Sequence, residues 1–359
     1  MKDLRDQIDR IDSDIVRLIG QRAEIARDIA REKQKNQIPL YQPDREQQVY
    51  DKIMRLNPGI VDDDSLKNIY REIMSATLKL EGSISVGYFG AEGSFTHQAS
   101  LQKFGRSLSL LPYRTINDVF QAVQKKEIRY GVVPIENSTE GMVKATLDAL
   151  LKHDLRIYAD IVLQIKQSLL SFAQSVEEIE TIYTHPQAYA QCRNFIQQNL
   201  SKAEWIETTS TSEAVRMIAE AHDNRLAAIA SLAAGELYQV PNLVSDITDY
   251  KRNFTRFIVI GHDIAKRAER NRTMISFNLP DSTGSLYRAL EPLYAEQINM
   301  RGIESRPDHS QLWSYVFFVD LDGHAEDAPI ARALDKMRTL PSTLRILGSY
   351  PVEDGHENA

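Results

Sequence analysis

Glu136, Asn137, Ser138, Thr139 and Glu140 follow directly on the apolar run Val132-Val133-Pro134-Ile135. So many consecutive hydrogen-bonding side chains exceed what a turn needs. The carboxyl ends of strands are also where α/β proteins hold ligands. The run is expected to form a turn that leads straight into a helix. Two further groups of this kind, Thr184-His185-Pro186-Gln187 and Asn253-Phe254-Thr255-Arg256-Phe257, adjoin apolar stretches later in the chain. Three polar groups converging from separate strands predict a site for a small polar molecule.

A second chemically capable set lies within the first eighty positions. Leu4, Ile8, Ile11, Ile15, Leu18, Ile25 and Ile29 recur at alternating spacings of four and three, the mark of a helix with a coiled-coil-like seam. Arg22 stands where that seam calls for an apolar residue, and Lys33 extends it. Glu46 opens the face Val49-Ile53-Leu56 of a second helix. On a third, Leu66, Ile69, Ile73 and Leu80 accompany Thr77 and Glu81. One such charge is explained by an internal salt bridge or by snorkelling at the seam edge. Several together predict a polar pocket in a helical bundle, because unpaired buried charge is costly. That pocket would be positive enough to hold a dianion.

The elements that must position these residues fall into three segments. Residues 1–82 read as helices whose boundaries are set by Pro39, Pro43 and Pro58. From Ile84 to about Gly261, short apolar strands alternate with helical stretches, the pattern of a mostly parallel sheet. Beyond the polar stretch 262–272 the order is β-α-β-β-α-β: strand Thr273–Leu279, helix Ser285–Glu296, strands near Met300–Ser305 and Leu312–Asp320, helix Glu326–Arg338 and strand Thr343–Leu347. That is a ferredoxin-like arrangement. The fold class expected is therefore multidomain, α and α/β, with domains at 1–82, 83–262 and 271–359.

Bulk properties narrow the partners. A net charge of −7 argues against nucleic acid. Cys192 is the sole cysteine, and the histidines lack His-x-x-x-His or similar spacing, so no metal is expected. Charges crowd Met1-Lys2-Asp3-Leu4-Arg5-Asp6 where a signal peptide needs an apolar run. No stretch approaches the ~20 apolar residues of a membrane span. A cytosolic protein without metal, cofactor or membrane contact is the expectation.

Gly87-Tyr88-Phe89-Gly90-Ala91-Glu92-Gly93 has the wrong glycine spacing for a dinucleotide loop. Ser94, Phe95 and Thr96 then open a helix, where hydroxyls and free N–H groups can hold a carboxylate; plain capping accounts for one of the two hydroxyls equally well. Ser210 and Glu213 have the spacing of a capping box, the favoured reading there.

The first eighty residues resemble the all-helical chorismate mutase family. The resemblance implies an intertwined dimer whose long first helix spans both sites. It assigns Arg22, and Arg5 from a second copy, to the substrate carboxylates. It sets Lys33 at the ether oxygen, Glu46 at the ring hydroxyl, and Arg45 and Thr77 along the pocket. A Claisen rearrangement needs no acid or nucleophile, only a compact substrate conformer and positive charge at the breaking ether bond. Two positions depart from the family pattern. Gln42 replaces a common aspartate, and Glu81 a common glutamine beside the ether oxygen. An ionised Glu81 would repel the developing negative charge, so it should act protonated, and mutase rate should rise toward mildly acidic pH.

The segments 87–96, 134–141, 184–188 and 253–257 together resemble prephenate dehydratase, in order and spacing. The resemblance implies two α/β lobes around a cleft, like a periplasmic binding protein. It gives Thr255 the task of helping hydroxide leave prephenate, as carbon dioxide is lost and phenylpyruvate forms. Asn137 and Gln187 are expected as neutral donors and Arg256 as a charge balance. Ser138, Thr184 and His185 complete the polar wall, with Phe95 and Phe257 keeping the cleft dry. Gly284-Ser285-Leu286 and Glu304-Ser305-Arg306-Pro307 resemble the two phenylalanine-binding motifs of an ACT regulatory domain.

The implied protein is bifunctional, acts on chorismate and prephenate, responds to phenylalanine, and is a homodimer or higher homo-oligomer. Two rivals remain at this stage. One is a non-catalytic amino-acid sensor, which has no use for Arg22, Lys33 and Glu46. The other is a dehydratase whose helices are a degenerate, dimerising mutase arm.

Overall fold

The computed structural model describes residues 1–82, 84–307, 315–340 and 343–352. Three helices form the N-terminal region: α1 (Lys2–Lys35), α2 (Pro43–Leu56) and α3 (Asp63–Glu81). Pro43 begins α2, where a missing N–H is harmless. Asp62 caps α3 by accepting from Ser65 N. Pro39 and Pro58 fall in the connecting loops.

The apolar seam of α1 stays outside. Leu4, Ile8, Ile11, Ile15, Leu18, Ile25 and Ile29 are each 48–62% exposed. Arg22, Ala26, Ala30 and Lys33 occupy an adjacent, more buried face. The charges therefore do not interrupt a buried seam within this chain, as their spacing suggested. They flank an open one, because α1 packs on α3 through its small and charged residues.

The central region has two lobes. The first holds β1 (Ser85–Phe89), α4 (Phe95–Phe104), β2 (Ser109–Tyr113), α5 (Ile116–Gln124), β3 (Tyr130–Asn137), β4 (Gly141–Met142), α6 (Lys144–Lys152) and β5 (Arg156–Gln164). The second holds β6 (Ser168–Ser171), β7 (Thr181–Thr184), α7 (Pro186–Gln191), α8 (Arg193–Asn199), β8 (Glu204–Glu207), α9 (Thr211–Ala221), β9 (Leu226–Ala230), α10 (Leu232–Tyr238) and β10 (Asn242–Val244). The chain then returns to the first lobe as β11 (Phe254–Gly261). β1 is parallel to β2 and β3, but β11 runs antiparallel between β3 and β5, so the sheet is mixed. The second lobe has strand order β10-β6-β9-β7-β8. The two crossing segments hold each other: Ile165 N donates to Asn253 O and Ile247 N to Gln167 O, both at 2.8 Å.

The C-terminal region comprises β12 (Asn271–Leu279), α11 (Ser285–Ala295), β13 (Met300–Pro307), β14 (Tyr315–Asp322), α12 (Ala328–Arg338) and β15 (Leu344–Pro351). The order β13-β14-β12-β15 is the expected ferredoxin-like sheet. Residues 312–314 of the expected third strand lie outside the described residues. β15 also meets β5 in parallel through Gly348 and Ile157, which joins this sheet to that of the first lobe. A Cβ at 348 would lie 2.4 Å from Ile157 O, so only glycine permits the junction.

The helical region is likewise plugged into the first lobe. Tyr41, between α1 and α2, is buried among Phe104, Tyr130 and Tyr158, with ring centroids 5.1–5.9 Å away. Tyr158 OH donates to Tyr41 O at 2.7 Å.

Candidate functional site

An open cleft of about 1080 Å³ lies between the lobes. Strand register builds its floor. Asn137, the last residue of β3, stands opposite Thr255 on β11, and cross-strand partners share a face of the sheet. Asn137 Nδ2 donates to Thr255 Oγ1 at 2.8 Å and to Asn253 Oδ1 at 3.0 Å. Its Oδ1 accepts from Thr139 N, Thr139 Oγ1 and Glu140 N at 2.9, 2.6 and 3.2 Å. A backbone N–H can only donate, so these contacts fix which way the amide points. Both amide hydrogens are thus engaged within the protein. Asn137 is not the free donor to a ligand that its position suggested; it orients Thr255. Because Thr255 Oγ1 accepts a bond, its own hydrogen is left for the cleft, and a hydroxyl that accepts is a stronger donor.

Several expectations need correction here. The polar run does not enter a helix directly, since β4 folds back on β3 with Gly141 opposite Asn137. The group 253–257 does not merely adjoin a strand, since Phe254–Phe257 lie within β11. Thr184 is fully buried and donates to Ile229 O at 2.8 Å. Ser138 donates to Arg252 O at 3.3 Å and accepts from Phe254 N at 2.9 Å, which pins the strand ends together. Both hydroxyls satisfy backbone groups and neither lines the cleft.

Arg256 is also turned away. Successive strand residues face opposite sides, so with Thr255 and Phe257 on the cleft, Arg256 points behind the sheet. There it pairs with Asp320 of β14 and, at 3.0 Å, with Glu136, and it donates to Tyr350 OH at 3.3 Å. Burial opposes the guanidinium charge, but Asp320, Tyr350 and Glu136 more than offset it and hold its pKa above the ordinary value. Arg256 is therefore a clasp to the C-terminal region instead of a charge balance for the ligand.

The remaining expected residues do meet at the cleft. Ser94, Phe95, Thr96, His185, Gln187 and Phe257 line it. Ser94 Oγ also caps α4 by accepting from His97 N at 3.2 Å, and His185 Nδ1 caps α7 by accepting from Gln187 N at 3.2 Å. Ser210 caps α9, accepting from Glu213 N at 3.1 Å, but the Glu213 side chain accepts from Thr209 N at 3.3 Å instead of closing the expected box on Ser210 N. Arg114, on the loop after β2, is the one arginine or lysine among the described residues lining the cleft. Nothing in its sequence surroundings singles it out.

A second constellation lies on the helices. Arg22 Nη1 donates to Thr77 Oγ1 at 3.0 Å, and Lys33 Nζ to Leu40 O at 2.7 Å. Burial raises the Glu81 pKa, and the nearby Lys33 and Arg22 only partly counter it. Glu81 Oε2 is buried with no hydrogen-bond partner among the described residues. Burial likewise lowers Lys33, against the opposing pull of Glu81 and Asp44. Gln42 precedes the first turn of α2, and Arg45 is exposed, donating to Gln48 Oε1 at 3.1 Å. Glu46 makes its contacts elsewhere: its Oε2 accepts from Tyr41 OH at 2.9 Å and lies 3.1 Å from Lys103 Nζ. Arg5 is exposed near the start of α1. At 1.5 Å per residue it lies roughly 25 Å from Arg22, too far to reach the same pocket.

In the C-terminal region Gly284 precedes α11 with φ +79°, a conformation that favours glycine. Ser285 shares a 2.6 Å hydrogen bond with Ser282, and Leu286 is exposed. Glu304, Ser305, Arg306 and Pro307 lie on the edge strand β13. Arg306 reaches Asp148 of α6 at 3.0 Å, while its Nη1 is buried without a partner among the described residues. Among the described residues, no His, Cys, Asp and Glu group could hold a metal, and no helix is long and apolar enough to cross a membrane.

Three family models match the chain: chorismate mutase type II over residues 4–82, prephenate dehydratase over 86–265 and the ACT domain over 273–339. A bifunctional chorismate mutase/prephenate dehydratase from Aquifex aeolicus is 43% identical, covering 98% of both chains. One from Neisseria gonorrhoeae is 38% identical, covering 97% of this chain and 96% of the relative. Among solved structures, a prephenate dehydratase from Arthrobacter aurescens in complex with L-Phe is similar. It is 33% identical, with TM-score 0.69, and the match covers 75% of this chain and 90% of that one.

Proposed function

The chain belongs to the bifunctional chorismate mutase/prephenate dehydratase family, and from that premise we propose how its residues divide two consecutive reactions. The division follows a mutase segment at 1–82, a dehydratase segment at 83–262 and a regulatory segment at 271–359.

In the cleft, prephenate loses its ring carboxylate as carbon dioxide. The electron pair of that bond enters the ring, and the ring hydroxyl leaves with its own bonding pair. Aromaticity supplies the driving force, so the protein has chiefly to stabilise the departing hydroxide until solvent protonates it. Thr255 does this by donating a hydrogen bond, because Asn137 holds its oxygen as an acceptor. The 2.8 Å bond from Asn137 Nδ2 to Thr255 Oγ1 carries this reading. Arg114 draws in the dianion and Gln187 contacts it from the second lobe. Phe95 and Phe257 exclude water, which strengthens every polar contact.

Substitution of Thr255 by Val keeps the shape and removes the hydroxyl. Turnover of supplied prephenate should fall by roughly 10²–10³, the usual cost of removing such a donor, while chorismate is still rearranged. Near-normal prephenate turnover in that variant would refute the assignment.

In the helical pocket, Arg22 and Thr77 bind substrate carboxylate, Lys33 and a protonated Glu81 face the ether oxygen, Gln42 and Arg45 border the ring, and Glu46 meets its hydroxyl. The open seam of α1 supports pairing with a second copy, which would bring that copy's Arg5 to the pocket. The ACT motifs support regulation by phenylalanine, bound between Gly284-Ser285-Leu286 and Glu304-Ser305-Arg306-Pro307. Chorismate assays with and without phenylalanine test both points together, since a dead mutase arm yields no phenylpyruvate from chorismate.

A further inference from the structure

Lys103 lies in the dehydratase segment, yet its ammonium is buried against Glu46, a carboxylate of α2 in the helical region. Its side chain is 6% exposed and that of Glu46 11%, with Nζ and Oε2 3.1 Å apart. Tyr41 OH donates to the same oxygen at 2.9 Å. Tyr41 is itself locked in the first-lobe core by its aromatic neighbours and by Tyr158. Both donors therefore hold Glu46 from the dehydratase side.

The support around Lys103 is rigid. It sits in the last turn of α4, whose end packs on α3: Arg106 N donates to Glu72 Oε2 at 3.1 Å and Ser107 N to Ser75 Oγ at 3.2 Å. Gly105 has φ +68°, and a Cβ there would lie 2.5 Å from Ser75 Cβ, so the approach of α4 to α3 is close. The opposite end of α4 carries Phe95 and Thr96 of the dehydratase cleft. One ten-residue helix thus reaches from the cleft to Glu46.

We propose that Lys103, together with Tyr41, is a positioning residue for the mutase reaction, fixing Glu46 so that its other oxygen meets the substrate's ring hydroxyl. This rests on the reading that Glu46 serves that hydroxyl. The mutase site is then braced from within the dehydratase segment. A carboxylate on a flexible stem, released from two donors on one oxygen, loses its fixed direction, and misplacement of this kind costs rate.

The test uses the full chain, with chorismate for the mutase and supplied prephenate for the dehydratase. K103M should lower mutase kcat by roughly 10- to 100-fold, with KM little changed and prephenate turnover retained. K103R should recover most of the loss. Y41F removes the other bond without stranding a charge, so it remains informative if K103M does not fold; it should cost roughly five- to tenfold. In an E46Q background neither K103M nor Y41F should cost anything more, because both act through Glu46. Equal losses with and without Glu46, or unchanged kcat in K103M and Y41F, would overturn the proposal. A neutral E46Q would overturn it at its premise, and that result is distinguishable because it precedes any change at Lys103.

Discussion

In the proposed helical pocket the groups are mostly ions on long side chains, while in the proposed interlobe site they are an amide and a hydroxyl on adjacent strands. In the proposed mutase step charge moves within one molecule, so Arg22 and Lys33 would act through field and shape and Glu81 as a neutral hydrogen-bond donor. In the proposed dehydratase step a poor leaving group departs, so Thr255 would act through one aimed hydrogen bond. The helical region has an open seam along α1, whereas the cleft lies between two lobes that the chain crosses twice. Ionic sites tolerate assembly from separate pieces because Coulomb forces fall off slowly. A single aimed hydrogen bond needs the tighter register of paired strands.

Lys33→Ala strikes this contrast hardest. Chorismate rearrangement should drop by roughly 10²–10³ with prephenate turnover unchanged, read from the two substrates separately. Parallel losses in both assays would mean that the two sites are not chemically independent. Asn137→Ala comes next: it leaves Thr255 present but unaimed. Dehydratase kcat should fall by about 10²-fold, less than for Thr255→Val. A larger loss than for Thr255→Val would give the amide a direct role that its engaged hydrogens deny.

The smallest effect concerns pH. Burial favours the neutral form of Glu81 and raises its pKa. Mutase rate that needs this form is full below the raised pKa and lost as pH climbs through it. Glu81→Gln imitates the neutral acid at every pH, so its rate profile should be flat where the parent declines. A parent profile already flat, or rising with pH, would remove the protonated role.

Much of the cleft was legible from local sequence. Thr255, Gln187, Phe95 and Phe257 belong to short motifs whose positions beside strands and helix starts were readable, and they meet where strand tips should meet. Arg256 was misread although the needed rule is elementary: its neighbour cannot face the cleft unless it faces the opposite side. Ser138 and Thr184 carry the right chemistry, but their hydroxyls satisfy backbone groups supplied by distant segments, Arg252 and Ile229, which no local pattern reveals. On α1 the stripe was real and its burial was not, since burial depends on what lies opposite. Lys103, Asp320 and Arg114 were illegible for the same reason. A lysine in a helix or an aspartate in a strand gains meaning only from the partner that folding brings to it.

Arg256 has a consequence for traffic between distant parts of the chain. The peptide that aims Thr255 forward anchors its neighbour backward onto Asp320, in a pair sealed from solvent on both sides. Separating such partners strands a charge in a dry interior, a penalty of roughly 3–5 kcal/mol. The C-terminal domain therefore cannot drift from β11 at low cost; it either moves with the backbone of Thr255 or gives up that anchorage. Any displacement of that domain has a single amino acid left to cross before it reaches the hydroxyl.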